Sequence, residues 1–432
     1  MNSENPDEKP SKLGFFDKNP SLRIREFNRF LMLRFGIIFA LNMQSTTIYY
    51  WVYHITNDKL LLGLVGLAEV IPAIGFSFIS GHFVDLNEKR KMVMICLIGY
   101  ILLALSLFLV ALPSTQESLS LDSRLYFVYF FVFLGGMLRS FYSPSMFSLF
   151  GLVVPRKYYP NATSWSSMAW QLGAVLGPLT AGFFIAWNGI PASLFTIIII
   201  DLILLIPLFG IAVKPILKTV KEPILKSLTE GVRFVVKTPA LLGAQLLDMF
   251  SVLFGGAVAL LPVYQKEILH VNEVGFGILR SAPGIGALCT LGLLAFLPLK
   301  TNPGKKLFVA VGGFALCIIT FGLSKNFYLS FFMLLFSGMF DAVSVVIRST
   351  ILQLVTPDEM RGRVSAVNTM FVSSSNELGD FESGVMAHYL GTVRAVVVGG
   401  CLTLGVVVFT FFKAPPLRNF KFEDHMDKPE KP

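Results

Sequence analysis

Three acidic residues close together near the end of the chain are the side chains best suited to chemistry. They belong to one polar stretch inside a long apolar segment, Asn376-Glu377-Leu378-Gly379-Asp380-Phe381-Glu382-Ser383-Gly384. These three carboxylates cannot all be ionised in a dry site, because each loses its hydration and repels the others. Glu377 and Asp380 are three residues apart and share a helix face, whereas Glu382 points elsewhere. We predict that the cluster binds and releases a proton; pairing with Arg280 or Arg348 is the alternative.

Eight further charged residues lie inside apolar segments. They are Glu69, Asp201, Asp248 and Asp341, and Arg34, Arg139, Arg280 and Arg348. An ionised group at the centre of a membrane helix costs about 2.5–3.5 kcal/mol on insertion scales. Each is therefore expected to face a partner, a wet cavity or a proton path. Functional roles are the default interpretation, and ion pairs that only stabilise the fold are the rival one.

Arg139 and Asp341 are 202 positions apart and occupy equivalent places in an internal repeat described below. The repeat puts a cation and an anion at the same depth, about 21 Å from one end of their segments. We predict that both line a central cavity, where a polar or amphoteric molecule could bridge them. The alternative is that each pairs within its own half of the chain.

Glu69 and Arg280 show the same inversion of charge, 211 positions apart. Asp248 is a rival partner for Arg280, because an arginine side chain can span the axial gap of about 6 Å between them. We expect Arg280 to form a structural or gating ion pair with one of these two acids. Glu69 is also a second candidate for the proton site.

Polar and aromatic side chains mark the first apolar segment as a possible cavity wall. Asn42, Gln44 and Tyr49 lie in that segment, and Gln171 in the fifth is a similar candidate. We predict that these four residues contribute to a ligand cavity.

The elements that must position these residues follow from composition. The chain has 432 residues, of which 54% are hydrophobic and 15% charged, and its mean hydropathy is +0.67. A soluble protein carries about 25% charged residues. Segments of about 20 apolar residues can cross the bilayer as helices. Twelve such spans are predicted, at 29–54, 59–82, 91–112, 124–150, 160–187, 192–213, 239–265, 273–298, 305–324, 327–352, 363–389 and 393–412.

Glycine and proline recur at fixed offsets within these spans. Those with an offset of 202 are Gly136, Pro155, Gly177 and Gly182, matched by Gly338, Pro357, Gly379 and Gly384. Those with an offset of 211 are Gly66, Pro72, Gly75 and Gly81, matched by Gly277, Pro283, Gly286 and Gly292. Two membrane halves of like topology are typical of transporters that bind their substrate between the halves.

The net charge of +9 reflects membrane topology. With the N-terminus inside, 27 Lys and Arg residues fall in the tails, inner loops and span edges, against 5 on the outer side. The positive-inside rule then predicts a multi-pass protein with both termini cytoplasmic. We expect no nucleic-acid partner.

The spans divide the chain into five parts. These are a cytoplasmic N-terminal segment (1–28), a six-helix bundle (29–213), a cytoplasmic linker with an amphipathic helix (214–238), a second six-helix bundle (239–412) and a cytoplasmic tail (413–432). The linker helix is expected to lie on the inner membrane face or to be solvated. The four cysteines lack metal-ligand spacing, so we expect no metal and no cofactor. The chain carries no nucleophile elbow, His/Glu metal motif or phosphate-cradling loop, which argues against an enzyme.

The chain resembles a known family over essentially all twelve spans, and two stretches illustrate the resemblance. Gly81-His82-Phe83-Val84-Asp85-Leu86-Asn87-Glu88-Lys89-Arg90-Lys91 is similar to the signature loop of the major facilitator superfamily, except that Leu86 replaces its usual basic residue. Thr356-Pro357-Asp358-Glu359-Met360-Arg361-Gly362-Arg363-Val364-Ser365-Ala366-Val367-Asn368 resembles the branch with siderophore exporters of the enterobactin type and macrolide exporters.

The resemblance implies an all-α membrane protein with twelve helices in two pseudo-symmetric six-helix bundles. It implies proton-coupled export, by alternating access, of a siderophore-like or amphipathic organic molecule through a bacterial inner membrane. Its partners would be the small-molecule substrate, protons and membrane lipids, and we expect a monomer. A lysophospholipid or other lipid transporter is the alternative; a membrane-embedded enzyme or a receptor is less favoured. The implied gating residues are Gly81, Asp85, Arg90, Arg361 and Arg363, joined by Asp248 and Arg280.

Replacing Asp85 with Asn should slow turnover more than it weakens substrate binding. The carboxylate can accept hydrogen bonds at a helix end in one conformation and release them in the other. The check is to compare maximal transport rate with binding affinity in the variant and the wild type. An unchanged turnover would remove the gating role.

Overall fold

The computed structural model describes residues 19–214, 224–296, 302–357 and 360–422. In these ranges the chain is almost entirely helical, and no β-strand occurs. Ten helices in the described ranges are long and apolar enough to cross a membrane. The prediction of an all-α membrane protein is confirmed.

The first half contains six membrane helices. They are α1 (Arg25–Thr56), α2 (Lys59–Leu86), α3 (Lys89–Ala111), α4 (Leu121–Val153), α5 (159–187) and α6 (190–209). α5 and α6 form one continuous element, Tyr159–Phe209, with a kink at Asn188 and Gly189. Gly189 has a φ of 75°, a conformation that a residue without a Cβ adopts at little cost. This single element therefore supplies two of the predicted spans.

The second half repeats this order. Its helices are α7 (Pro239–Phe254, continued by short helical turns to Ile268), α8 (Glu273–Phe296), α9 (Pro303–Leu323), α10 (Phe327–Val355), α11 (Arg361–Leu390) and α12 (Thr392–Lys413). α11 has the length of a span but is not among the ten most apolar helices, because it carries the three acids and many other polar residues. Counting α11 and both parts of the kinked element gives the twelve predicted crossings.

The linker between the halves contains a helix, Ile224–Lys237. Its second half packs against the beginning of α11, where Glu230 pairs with Arg363 and Gly231 meets the Arg363 backbone. Val235 is fully buried. This part of the helix therefore contacts protein rather than only a membrane surface or solvent.

The two halves touch at one end of the bundle and separate at the other. We call the end where α1 begins and α12 ends the terminal face, and the other end the opposite face. Towards the opposite face, glycines bring α2 close to α11 and α5 close to α8, as at Gly63 against Gly384 and Gly182 against Gly277. Near the terminal face, a Cβ on Gly81 or Gly292 would meet nothing within 4 Å. The space between the halves is therefore open towards the terminal face.

Polar contacts across the halves reinforce the closed end. Lys59 Nζ lies 3.0 Å from Glu267 Oε2, and Tyr50 donates a 2.9 Å hydrogen bond to Glu273. Lys266 Nζ donates to the side-chain oxygen of Asn57 at 2.6 Å. Exposed ion pairs contribute only about 0–1 kcal/mol each, so the glycine contacts set the geometry and the polar contacts add specificity.

Replacing Gly384 with Val should open the opposite face. A Cβ at this position would lie 2.5 Å from the Gly63 Cα, and backbone atoms cannot move aside cheaply. Overpacking costs about 1–3 kcal/mol, which shifts the population of the closed end by about fivefold or more. The measurement is cross-linking of cysteines at positions 59 and 267 by a short bis-thiol reagent, whose yield should fall.

The matched control is Gly405 replaced with Val. A Cβ on Gly405 meets nothing within 4 Å, so this variant should cross-link like the parent protein. Equal yields from Gly384→Val and Gly405→Val would contradict the assignment of the closed contact.

Candidate functional site

One arginine joins the two halves at the end of the open space that is farther from the terminal face. Arg139 on α4 donates from Nη1 to Glu69 Oε1 on α2 at 2.7 Å and to Glu377 Oε1 on α11 at 2.9 Å. Glu69 and Arg139 belong to the first half and Glu377 to the second. The Arg139 side chain is 45% exposed, whereas that of Glu377 is only 8% exposed. We call these three residues the arginine bridge.

Small residues allow the three helices to come this close. A Cβ on Gly66 of α2 would lie 2.7 Å from the Glu377 carbonyl oxygen. Gly136, one turn before Arg139, faces the backbone of Glu69 at equally short range. Larger residues at these positions would separate the helices by more than a hydrogen bond can span.

A second contact across the halves lies beside the bridge. The Tyr49 hydroxyl on α1 donates a 2.6 Å hydrogen bond to Asp380 Oδ2 on α11. The Arg280 guanidinium lies 5.0 Å from the centre of the Tyr49 ring, within the range of a cation–π interaction. Arg280 also donates to the Val258 carbonyl oxygen at 3.0 Å and to Ser45 Oγ at 3.4 Å. Tyr49 thus stands between a cation and an anion of the second half.

The cluster on α11 divides as its spacing predicts. Glu377 and Asp380 both face the first half, whereas Glu382 makes no hydrogen bond or ion pair with any described residue. Glu377 Oε2 is buried and has no hydrogen-bond partner in the described part of the chain. An oxygen in this position can hold a proton without losing the bond from Arg139 to Oε1 outright. The alternative was pairing of the cluster with Arg280 or Arg348; no ion pair with either is formed among the described residues, although Asp380 interacts electrostatically with Arg280.

Arg139 and Asp341, predicted to line a central cavity, are both partly exposed but have different partners. Arg139 is engaged by Glu69 and Glu377, and Asp341 interacts electrostatically with Arg348 of its own helix. Equivalent positions in a repeat share depth, but the neighbours at that depth differ between the halves. Asp341 remains partly exposed.

Arg280 pairs with neither Glu69 nor Asp248, which corrects the second expectation. Asp248 on α7 forms an ion pair with Arg348 on α10, and both side chains are more than 90% buried. Arg348 also donates to Ser344 Oγ at 3.1 Å. Because this pair lies within the second half, Asp248 makes no gating contact across the halves in this conformation.

The predicted cavity residues take different roles. Gln171 donates across the halves to the Gly284 carbonyl oxygen at 3.3 Å. Asn42 bonds to the Ile38 carbonyl oxygen of its own helix at 2.8 Å, and Gln44 is buried. Of these three, Gln171 is the one that contacts the other half.

The predicted gating residues lie near the terminal face. The side chains of Asp85 and Arg361 lie outside the described part of the structure. Arg90 stacks over Phe209 of its own half at 5.9 Å, and Arg363 pairs with Glu230 of the linker helix. Neither contact crosses between the two halves, as expected where the halves are apart. No group of His, Cys, Asp and Glu in the described ranges could hold a metal ion.

The sequence analysis did not predict that a single guanidinium, that of Arg139, binds carboxylates from both halves. It also missed Glu267, Glu273 and Lys59, which close the opposite face. The sequence signal for these contacts was that short loops on the same side of the membrane carry residues of opposite charge. That signal does not identify which loops meet.

The chain is similar to known proteins along most of its length. The family model described as Major Facilitator Superfamily matches residues 30–379. The enterobactin exporter EntS of Shigella boydii serotype 4 (strain Sb227) is 26% identical over 396 residues, covering 88% of this chain and 90% of the relative. The enterobactin exporter EntS of Citrobacter koseri (strain ATCC BAA-895 / CDC 4225-83 / SGSC4696) is 25% identical, covering 88% and 89%.

A solved structure shares the fold at lower identity. A bacterial homologue of the human lysosomal transporter Spinster, crystallised in an inward-facing and unoccupied conformation, superimposes with a TM-score of 0.67 at 15% identity. The match covers 94% of this chain and 99% of that one.

Replacing Asp248 with Asn should destabilise the protein by about 3 kcal/mol, because it leaves Arg348 as a buried charge without its ion-pair partner. Replacing Asp341 with Asn should cost less, since its carboxylate makes no hydrogen bond or ion pair with a described residue. Thermal unfolding in detergent measures both. Glu230→Gln, which breaks the more exposed pair with Arg363, is the control and should cost about 0–1 kcal/mol. Similar losses for Asp248→Asn and Glu230→Gln would contradict the interpretation.

Proposed function

The chain belongs to the Major Facilitator Superfamily, and on that premise we propose that this membrane transporter is a proton-coupled exporter of a siderophore-like or amphipathic organic molecule. Transport of a small molecule, rather than catalysis, is what the family and the relatives share. The siderophore-like substrate class follows the relatives, which carry the name of enterobactin exporters at 25–26% identity. The observation that carries the proton coupling is the arginine bridge.

The orientation of the proposed exporter follows from charge. The positive-inside rule favours a cytoplasmic terminal face, because 27 Lys and Arg residues fall in the tails, loops and span edges predicted for the inner side, against 5 on the outer side. In this orientation the described conformation is open to the cytoplasm and closed to the outside. We place the transporter in a bacterial inner membrane, as a monomer surrounded by lipid.

The arginine bridge supports an exchange of substrate for proton. The bond between Arg139 and Glu377 is charge-assisted, a class that contributes about 1.5–3 kcal/mol, less where the arginine is exposed. A substrate group that binds Arg139 competes with Glu377 for the guanidinium. A proton on Glu377 removes the negative charge that holds Arg139 across the halves. Either event weakens the same contact and allows the opposite face to open.

The two events take place from opposite sides of the membrane. Substrate arrives from the cytoplasm while the opposite face is closed, and binding at Arg139 releases Glu377. Once the opposite face is open, Glu377 takes a proton from outside and the substrate leaves. Closure returns the protonated Glu377 to Arg139, which favours its ionised form and delivers the proton to the cytoplasm. Glu69 holds Arg139 in the first half throughout.

Asp380 supplies the second contact that must break. Its hydrogen bond from Tyr49 crosses the halves at 2.6 Å, and the Arg280 guanidinium lies over the same tyrosine ring. Protonation of Asp380 would weaken this contact in the same direction as protonation of Glu377 weakens the arginine bridge. We therefore assign the coupling to Glu377 and Asp380 together, with Glu69 as the residue that retains Arg139.

Glu377→Gln and Asp380→Asn should each leave the protein folded but abolish transport driven by a pH gradient. Neither amide can bind and release the coupling proton. The measurement is substrate flux in proteoliposomes with an imposed pH gradient, compared with exchange of substrate at equal concentrations on both sides. Exchange without net proton movement should persist in at least one variant.

Glu117→Gln is the matched control, because Glu117 is exposed on the short helix Pro113–Ser118 before α4 and takes no part in either contact. It should transport at the wild-type rate. Full gradient-driven flux in both Glu377→Gln and Asp380→Asn would overturn the proposed coupling.

A further inference from the structure

A polar cluster separate from the bridge lies inside the first half. It consists of Arg34 on α1, Tyr100 on α3 and Tyr142 on α4. Counted from the terminal-face ends of these helices, at residues 25, 89 and 153, the three residues are 9, 11 and 11 positions deep. This corresponds to about 13–17 Å along the helix axes, so the three side chains share one level. Arg139 is one helical turn deeper on α4.

Arg34 carries a charge that no described carboxylate balances. Its Nε donates a 3.2 Å hydrogen bond to the Ser166 carbonyl oxygen on α5, and it forms no ion pair with a described residue. The Tyr142 hydroxyl is close enough to Arg34 for a direct electrostatic interaction. An arginine within a membrane helix costs about 2.5–3.5 kcal/mol, which a neighbouring negative charge would offset.

Two buried phenols lie at this level, and Tyr142 is the one that interacts with Arg34. Tyr100 and Tyr142 are 2% and 4% exposed, and their rings are 6.1 Å apart in an edge-to-face arrangement. Neither hydroxyl has a hydrogen-bond partner in the described part of the chain. A buried hydroxyl left unsatisfied costs about 1–3 kcal/mol. Both hydroxyls are therefore donors that a bound ligand would satisfy.

We propose that Arg34, Tyr142 and Tyr100 form an anion-binding site for a carboxylate or a similar small anion. The Arg34 guanidinium and the two phenols are all donors, and no described carboxylate pairs with Arg34 at this level. Water could satisfy the phenols but would leave the arginine charge unbalanced. The other ionisable groups nearby are Cys96, whose sulfur lies 3.9 Å from the Leu138 carbonyl oxygen, and the Arg139–Glu69 pair one turn deeper.

Arg34 lies at a shallower level than Arg139, counted from the terminal face. Arg34 is partly exposed, and the space between the halves opens towards its end of the bundle. An anionic substrate group would therefore meet Arg34 before Arg139. This use in transport rests on the proposed function, whereas the binding site itself does not.

Anion binding is measured on the purified full chain in detergent, without a gradient. Chloride, inorganic phosphate, benzoate or the neutral analogue benzamide is added in increasing amounts, and a bulky sulfonate keeps the ionic strength constant. The midpoint of thermal unfolding is measured at each concentration. An anion that binds only the folded state raises the midpoint in a saturable way. Arg34→Gln should weaken the apparent affinity about tenfold or more, since it removes a charge-assisted bond. Tyr142→Phe should weaken it by less.

Arg29→Gln is the matched control. Arg29 lies on the same helix at the terminal face and bonds to the Gly210 carbonyl oxygen, so its variant loses the same charge and should keep the wild-type response.

The probes distinguish the source of the anion. A response to benzoate but not to chloride or phosphate assigns the site to an organic carboxylate such as a substrate group, and equal responses assign it to any small anion. An equal response in Arg34→Gln and the wild type, or equal effects of benzamide and benzoate, overturns the proposal. Loss of proton coupling in the Glu377 variants leaves this result untouched, so the two proposals fail separately.

Discussion

One guanidinium shared by carboxylates from both halves holds the centre of this molecule together. Arg139 needs a negative partner because it lies deep in a membrane-spanning bundle, and it receives one from each side of the boundary between the halves. The bond to Glu69 can persist while the halves move, since both residues belong to the first half. The bond to Glu377 cannot, because it spans the boundary. The same interaction thus stabilises the closed end and marks where it must break.

The charged residues of the spans fall into clusters with different structural consequences. Asp248 and Arg348 are buried together in the second half, and their pair can move as part of a rigid bundle. The arginine bridge and the contact between Tyr49 and Asp380 cross between the halves and are therefore sensitive to conformation. A buried ion pair within one half stabilises a bundle, whereas one across the boundary couples its protonation to the relative position of the bundles.

Glycine determines where such short polar contacts can form. The closed end depends on helices that approach until backbone meets backbone, as at Gly63 and Gly384. Gly66 and Gly136 serve the bridge in the same way, because a larger residue there would move the partners of Arg139 out of hydrogen-bonding range. Matched glycines at Gly81 and Gly292 meet nothing in this conformation.

The sequence by itself determined the membrane spans, the repeat and the facing of Glu377 and Asp380, because hydropathy, offset and helical periodicity are local properties of the chain. It also indicated that buried charges need partners. Only the tertiary structure decided which partners they have. Arg139 meets Glu377 across 238 positions rather than Asp341, and Asp248 pairs with Arg348 rather than with Arg280. Charge-assisted bonds act over about 3 Å, and helix packing that brings side chains within that distance is not encoded by spacing along a single helix.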